Sequence, residues 1–334
     1  MVSRDDGDRG QLLVIIALVL GTVFVALAVV VNGAIFTENL ATRETVDSGR
    51  ATAFTGDVER AIEVRYDRTN ANGSNTVADA RSMFDDDVEA WADQRSSVAA
   101  TEGGFFDATW TTHVGWRLEQ STDDSFAPAD DRAATEWTVV EDTSDVSMLR
   151  LNVTRDDLYD ASSASDVENA FRLKVSDGSM DWELYVFQDS NDIVVHQGTN
   201  PGGFASLSDL LSDSDTCEKN TDRTVIDLLT LKLGDVNCPA LAFADDLSGP
   251  VTIRYENVNV SGDERVKGTY TVIVNGPDAV ATDGDGEPIK FNRSGEAPPT
   301  ASAVVYAVDY TTTYERADVE HHRDGRYAPR AELY

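Results

Sequence analysis

The chain has 334 residues, 60 acidic side chains against 27 basic ones, and a formal net charge of −33. A surface this negative repels phosphate backbones and anionic headgroups, which excludes nucleic acid as a chain-wide partner and leaves apolar insertion as the only route to a membrane. Hydrophobic residues at 41% suffice for a packed core and exclude disorder throughout.

The first element is the apolar run 12–31, LLVIIALVLGTVFVALAVVV, with no charged residue between Arg9 and Glu38. Twenty helical residues span about 30 Å, the thickness of a bilayer core. The run exceeds the roughly 7–15 residues of a cleaved secretory h-region, and no A-x-A-like site follows it, the next residues being Asn32, Gly33, Ala34, Ile35 and Phe36. It reads as a retained transmembrane helix in contact with the lipid bilayer. Arg4 and Arg9 before it nearly balance Arg43 and Arg50 after it, so the positive-inside count does not orient the chain. Four N-x-S/T sequons, at Asn72, Asn152, Asn259 and Asn292, and a cysteine pair, Cys217 and Cys238, fit an oxidising exterior where the pair forms a disulfide. The expected orientation is N-terminus inside and C-terminal domain outside.

Arg9-Gly10-Gln11-Leu12, running straight into the apolar stretch, resembles the class III signal of archaeal type IV pilin-like proteins. The resemblance covers about 35 residues. It implies cleavage between Gly10 and Gln11 by a prepilin-type peptidase, with the apolar helix kept and like subunits as partners. Many such pilins carry Glu five residues into the mature chain, where this chain has Ile15. The charge composition points the same way: 41 Asp and 19 Glu stand against 22 Arg and only 5 Lys. In about 1 M salt the Debye length falls to roughly 3 Å and the self-repulsion is screened. The chain thus resembles single-span surface proteins of halophilic archaea.

Beyond the span, Phe36, Leu40, Val46, Ala51, Phe54, Val58 and Ile62 fall near a 3.6-residue period and predict a helix continuing to about Tyr66. Thr69–Asn75 (TNANGSN) reads as a turn cluster. A second helix follows, with Val77, Arg81, Phe84, Val88, Trp91 and Val98 on one stripe, Ser74 or Asn75 as N-cap, and Gly103-Gly104 at its end.

From Phe105 the period changes to two. Strands are expected at 105–119, 134–141, 146–153, 169–176, 181–188, 192–197, 223–233, 250–259, 265–275 and 301–315, with hairpin turns at Ser176–Ser179 and Ser190–Asp192. Short helices are expected at 206–212 and 239–246, and polar loops at 155–166 and 277–299. The fold class is α+β: an N-terminal transmembrane helix extending into a long helix, a second packed helix, and an antiparallel, sandwich-like β-rich domain. The domain division is 1–10 leader, 11–35 membrane helix, 36–102 helical hairpin or stalk, 103–316 β-rich extracellular domain and 317–334 loose polar tail.

For chemistry the sequence offers little. His113, His196, His321 and His322 lie in no zinc spacing, and G-x-S-x-G, S-x-x-K, Walker and G-x-G-x-x-G strings are missing, so no catalytic or cofactor-binding residue is assigned. Asp283, Asp285 and Glu287, in DGDGE, are the one metal-like string, with Ca2+ as the cation, although Ser294 stands where an EF-hand needs Glu. Asp85–Asp87 and Asp213–Asp215 read as solvated faces, and His321-His322 with Arg323, Asp324 and Arg326 as a solvated tail. The leading expectation is a membrane-anchored surface protein with a structural or interaction role, pilin-like in its sharp form and not an enzyme. The alternatives are an extracellular ligand- or cation-binding module, using the 277–299 loop with Trp110 and Trp116, and a carboxylate-based surface hydrolase.

Overall fold

A computed structural model describes residues 6–143, 145–247, 249–260, 263–316 and 319–328, and within the first helix the side chains of residue 54 and of 16–32 and 56–72. Residues 1–5 of the expected leader and 329–334 of the expected tail lie outside the described residues. Helix α1 (Asp6–Asn72) is 67 residues long, roughly 100 Å at 1.5 Å per residue. Helix α2 (Val77–Thr101) follows, capped by Thr76, whose hydroxyl accepts from the Asp79 N–H. The cap is therefore Thr76, two positions beyond Ser74 and next to Asn75. The buried stripe of α2 is Ala80, Phe84, Val88 and Ala99; Val98 is exposed and Arg81 faces solvent, which corrects the expected stripe by about one position. At Gly103 φ is +75°, the left-handed turn that ends the helix.

The strands follow in chain order: β1 (Gly104–Ser125), β2 (Glu136–Thr143), β3 (Asp145–Thr154), β4 (Phe171–Ser176), β5 (Asp181–Asp189) and β6 (Asp192–Gln197). After the one-turn helix α3 (Leu207–Leu211) come β7 (Thr216–Asn220), β8 (Arg223–Asp227), β9 (Lys232–Leu233), β10 (Val236–Asn237) and β11 (Val251–Glu256). The rest are β12 (Asn259–Val260), β13 (Asp263–Glu264), β14 (Lys267–Asn275), β15 (Asn292–Arg293), β16 (Thr300–Arg316) and β17 (Val319–Tyr327). One sheet runs β10-β9-β8-β3-β14-β1-β16-β15, with β17 also on β16; the other runs β2-β11-β4-β5-β6-β7. All pairings are antiparallel apart from β15 on β16. The expected α+β class with an antiparallel β-rich domain holds.

Alternation explains the layers. Trp116 and Leu118 of β1, Leu149 and Leu151 of β3, and Val272 and Val274 of β14 point to one side and meet Trp137, Leu173, Leu184 and Ile253 of the second sheet in a single core. A second core lies under the helices. Phe54, Val58, Ile62 and Tyr66 recur every four residues along α1 and pack with Phe84 and Val88 of α2 on Phe106, Val305, Val308 and Tyr310. The helices thus sit on the projecting half of the β1–β16–β17 ribbon and belong to the head. From Phe54 onward, α1 and α2 share this core with the sheet, across the expected division at residue 102.

Two further expectations change. Thr69–Asn75 is not a plain turn: α1 continues to Asn72, and Thr69 and Asn70 are buried. The Asn70 amide donates to the Val305 carbonyl and its oxygen accepts from the Val305 N–H, both at 2.9 Å, while the Ala303 N–H donates to the Ser74 carbonyl at 2.7 Å. The edge of β16 is thereby closed along its length: β15 pairs at 300 and 301, Ser74 at 303, Asn70 at 305, and β17 from 308 onward. Within the expected loose tail 317–334, the described residues are ordered: Val319–Tyr327 forms β17, held by the Arg323–Glu59 ion pair to α1 and by Tyr327 packing on Tyr66 at 5.4 Å.

Cys217 and Cys238 form the expected disulfide, with Cα atoms 5.4 Å apart. Cys217 sits in β7, the last strand of the second sheet, and Cys238 directly follows β10, the last strand of the first. The bridge therefore staples the two sheets at one end, next to the Lys219–Asp235 ion pair.

Two outcomes are expected. Replacing both cysteines with Ser, or reducing the bond, lowers unfolding free energy by about 3 kcal/mol for a loop of this size, read from urea midpoints. Asn70→Leu removes both bonds to Val305 and strands a buried N–H and C=O, costing about 2–3 kcal/mol and raising amide exchange at Val305 before the rest of the sheet.

Candidate functional site

The site residues expected from sequence do not converge. Gly10 and Gln11 lie in the first turns of α1, where side chains are outside the described set. Asp283 folds its carboxylate back on its own loop, with Oδ1 accepting from the N–H groups of Asp285 at 2.9 Å and Glu287 at 3.0 Å. Those bonds hold its carboxyl below the usual carboxylate range. Glu287 pairs with Arg293, and Asp285 is exposed. The string is a self-capped turn, closed by Gly286 at φ +80°, and the Asp283 and Glu287 carboxylates are engaged separately, one by the loop backbone and one by Arg293. Among the described residues no group of three or more His, Cys, Asp or Glu is placed to hold a metal ion.

The sequons divide by burial. Asn72 is exposed at the end of α1. Asn152 accepts from Arg223 at 3.0 Å, and Asn292 donates to Ala297 at 2.7 Å. Asn259 is buried, and its amide donates to the carbonyls of Arg132 and Ala134. Its nitrogen is part of the fold, so the sequence expectation of a glycan there is corrected.

The aromatic candidates are also core. Trp116 is fully buried with its indole N–H donating to the Pro277 carbonyl, and Trp110 lies beneath α2 with its N–H on Asp85 at 3.0 Å. Asp85 also accepts from the Thr112 hydroxyl, while Asp87 pairs with Arg68 of α1, so two of the three acids of Asp85–Asp87 fix α2 in place and are not a solvated face. Neither Trp forms part of a ligand surface with the 277–299 loop.

Two of the histidines are built in. His113 bonds Asp309 at 2.6 Å beside the β-bulge at Tyr306. His196 is buried, with Nδ1 2.8 Å from the Thr216 hydroxyl. That hydroxyl donates its own proton to the Leu210 carbonyl, so Nδ1 carries the hydrogen it gives to Thr216. Burial lowers the His196 pKa, against the opposing pull of Asp213 and Asp215.

Sequence reasoning missed a cluster on the outer face of the second sheet. Arg172 of β4 bonds Glu183 Oε2 at 3.1 Å and the Tyr185 hydroxyl at 3.0 Å, both on β5, and pairs with Glu256 of β11. Glu183 also accepts from Tyr185 at 3.0 Å. The register explains it: Arg172 stands opposite Tyr185 on one side and Glu256 on the other. Burial works to lower the Arg172 pKa, but the bond to Tyr185 and the charges of Glu256 and Glu183 outweigh it and raise it. Burial pushes the Tyr185 hydroxyl up to about 12. Arg254, 3.8 Å from Glu256, supplies the second cation for the two carboxylates, and this is the chemistry of a sheet-locking knot, with both carboxylates engaged in ion pairs.

One surface has no partner within the fold. Among the described residues no helix is long and apolar enough to cross a membrane. The described side chains of α1 begin at Ile16, so they take in only part of the run 12–31. Within that part Leu18, Val19, Leu20, Val23, Phe24 and Val25 are all more than half exposed. At 100° per residue these positions surround the helix, so this part is apolar on every side, and none of the described residues covers it.

Comparisons with protein-family models, with curated proteins and with solved structures find no match for this chain.

Two tests follow. Arg172→Met leaves Glu183, whose side chain is 15% exposed, without its cation, and leaves Glu256, 10% exposed, with only the longer 3.8 Å contact to Arg254. The expected loss is about 2–3 kcal/mol, below the value for a fully dry pair because Arg172 keeps some solvent contact, and adding Glu183→Gln and Glu256→Gln recovers part of it in urea denaturation. For His196, the depressed pKa means that the unfolded chain binds the extra proton first. Stability is full above the unfolded value of about 6.5 and falls as pH drops through it. His196→Asn keeps a donor to Thr216 and flattens the stability slope between about pH 7.5 and pH 5.5.

Proposed function

We propose that this chain is a membrane-anchored surface protein whose folded head has a structural or interaction role, in its sharp form a pilin-like subunit. The observation that carries the reading is α1: one helix is apolar on all sides where no protein covers it, and amphipathic where it packs on the sheet. Lipid is the medium that matches the first half, because an all-round apolar surface of this size is unstable in water. The N-terminus lies inside and the head outside; the disulfide between sheet ends supports an oxidising exterior. The acid-rich composition suits a head bathed in concentrated salt. The resemblance of Arg9-Gly10-Gln11-Leu12 to a class III signal adds cleavage after Gly10 and retention of the helix.

A cation-binding module is not favoured by any observation, since DGDGE is closed on itself, and a hydrolase lacks a pair of carboxylates free of internal partners in the Arg172 cluster. N-terminal sequencing of the protein purified from membranes tests the sharp form. A start at Gln11 is expected; a start at Met1 or Val2 reduces the protein to a plain anchored head.

A further inference from the structure

We propose that a second copy of this chain docks on the free edge of β17, the two β17 strands pairing antiparallel about a two-fold axis through Arg323. Among the described elements β17 pairs only with β16, so its other edge is the end of a nine-stranded sheet. Such an edge accepts another strand by backbone hydrogen bonds, and the side chains select which strand. Here the nine residues V-E-H-H-R-D-G-R-Y are complementary to themselves when reversed. With Arg323 at the axis, Glu320 lies opposite Arg326 of the second copy and His322 opposite Asp324, each pair occurring twice. All four positions are on the face away from the helices, and the side chains of His322, Asp324 and Arg326 are 56%, 74% and 56% exposed. On the helix face the two Arg323 side chains meet at the axis, and each already carries the counter-charge of Glu59 from its own α1.

The register is selective. Outward-facing backbone groups repeat every second residue, so alternative registers differ by steps of two. One step in one direction sets Glu320 against Asp324; one step in the other sets the two Asp324 side chains against each other. Like charges directly opposite destabilise a strand pair and unlike charges stabilise it, so the Arg323 register is preferred over both neighbours. The same charges discourage a generic strand, which makes the edge specific for its own kind.

The fold also fixes the direction of the partner. Phe54 of α1 meets His321 at 6.0 Å, Glu59 pairs with Arg323, and Tyr66 meets Tyr327 at 5.4 Å, so α1 and β17 run in the same direction. A two-fold axis perpendicular to the sheet reverses both. The apolar ends of the two α1 helices then point in opposite directions, and the pair joins two facing membranes instead of neighbours in one. That last step rests on the anchoring reading above; the strand pairing does not. A nine-residue edge is a small contact, and many copies on two facing surfaces supply the avidity it lacks singly.

The test uses the full-length chain with charge reversals at exposed positions. In detergent, sedimentation equilibrium of the unmodified chain is expected to show a dimer. Glu320→Arg and Arg326→Glu, each alone, place like charges in both outer pairs and weaken it at least roughly tenfold. An equimolar mixture of the two variants restores both pairs and recovers the dimer. A monomeric unmodified chain, or a mixture no better than its components, overturns the pairing. The same proteins in separate lipid vesicles are then mixed. Clustering by the unmodified chain and by the variant mixture, but not by either variant alone, supports the facing-membrane arrangement; dimers in detergent without clustering overturn that arrangement and leave the pairing standing.

Discussion

The paired hydrogen bonds between the Asn70 side chain and the backbone of Val305 are the join on which the architecture depends. A sheet edge with open N–H and C=O groups is unstable when buried, and α1 ends there with its own last carbonyls to satisfy. An asparagine side chain presents one donor and one acceptor in the spacing of a peptide group, so it stands in for a strand residue at the point where β15 has ended and β17 has not begun. With the helix end locked to β16, the four-residue spacing of Phe54, Val58, Ile62 and Tyr66 lays the rest of its packed half along the ribbon. The direction of the apolar half is then set by the head, because both halves belong to one helix.

The charge of −33 is carried in two different ways. Most acids are solvated, and their ion pairs at the surface contribute little singly. A few are placed at joins: Asp85 under Trp110, Asp87 and Asp57 between the two helices, Glu59 on β17, and Glu183 with Glu256 around Arg172. In each case the cation is Arg or the donor an indole or hydroxyl, groups that make directional bonds. The scarce Lys residues lie at the rim, as in the Lys219–Asp235 pair beside the disulfide.

Apolar periodicity made α2 and the central strands legible, since both follow directly from which side chains must leave water. It failed where polar partners replace apolar ones. The β17 strand reads V-E-H-H-R-D-G-R-Y and shows no alternation, because its inner face is satisfied by Glu59 and by the rings of Phe54 and Tyr66 on α1. The edge strand β7, T-C-E-K-N, was hidden for the same reason. Asn70 looked like a turn residue because asparagine usually is one; its role depends on a strand 235 positions away. The Arg172 cluster was masked by 60 acids, any of which was an equal candidate. The DGDGE string shows the converse error, a spacing that suits a cation but is used by the loop to bond itself.

In the function we propose, the apolar half of α1 sits in a bilayer while its other half is part of the head. Flotation of the full-length protein with lipid vesicles in concentrated salt measures this most directly, because high salt removes any electrostatic attachment. The protein is predicted to float with the vesicles, and Leu20→Lys with Phe24→Lys, which place two charges on the uncovered helix surface, to leave it at the bottom of the gradient with its head still folded. Unmodified protein that stays at the bottom as a folded species contradicts the bilayer placement of α1.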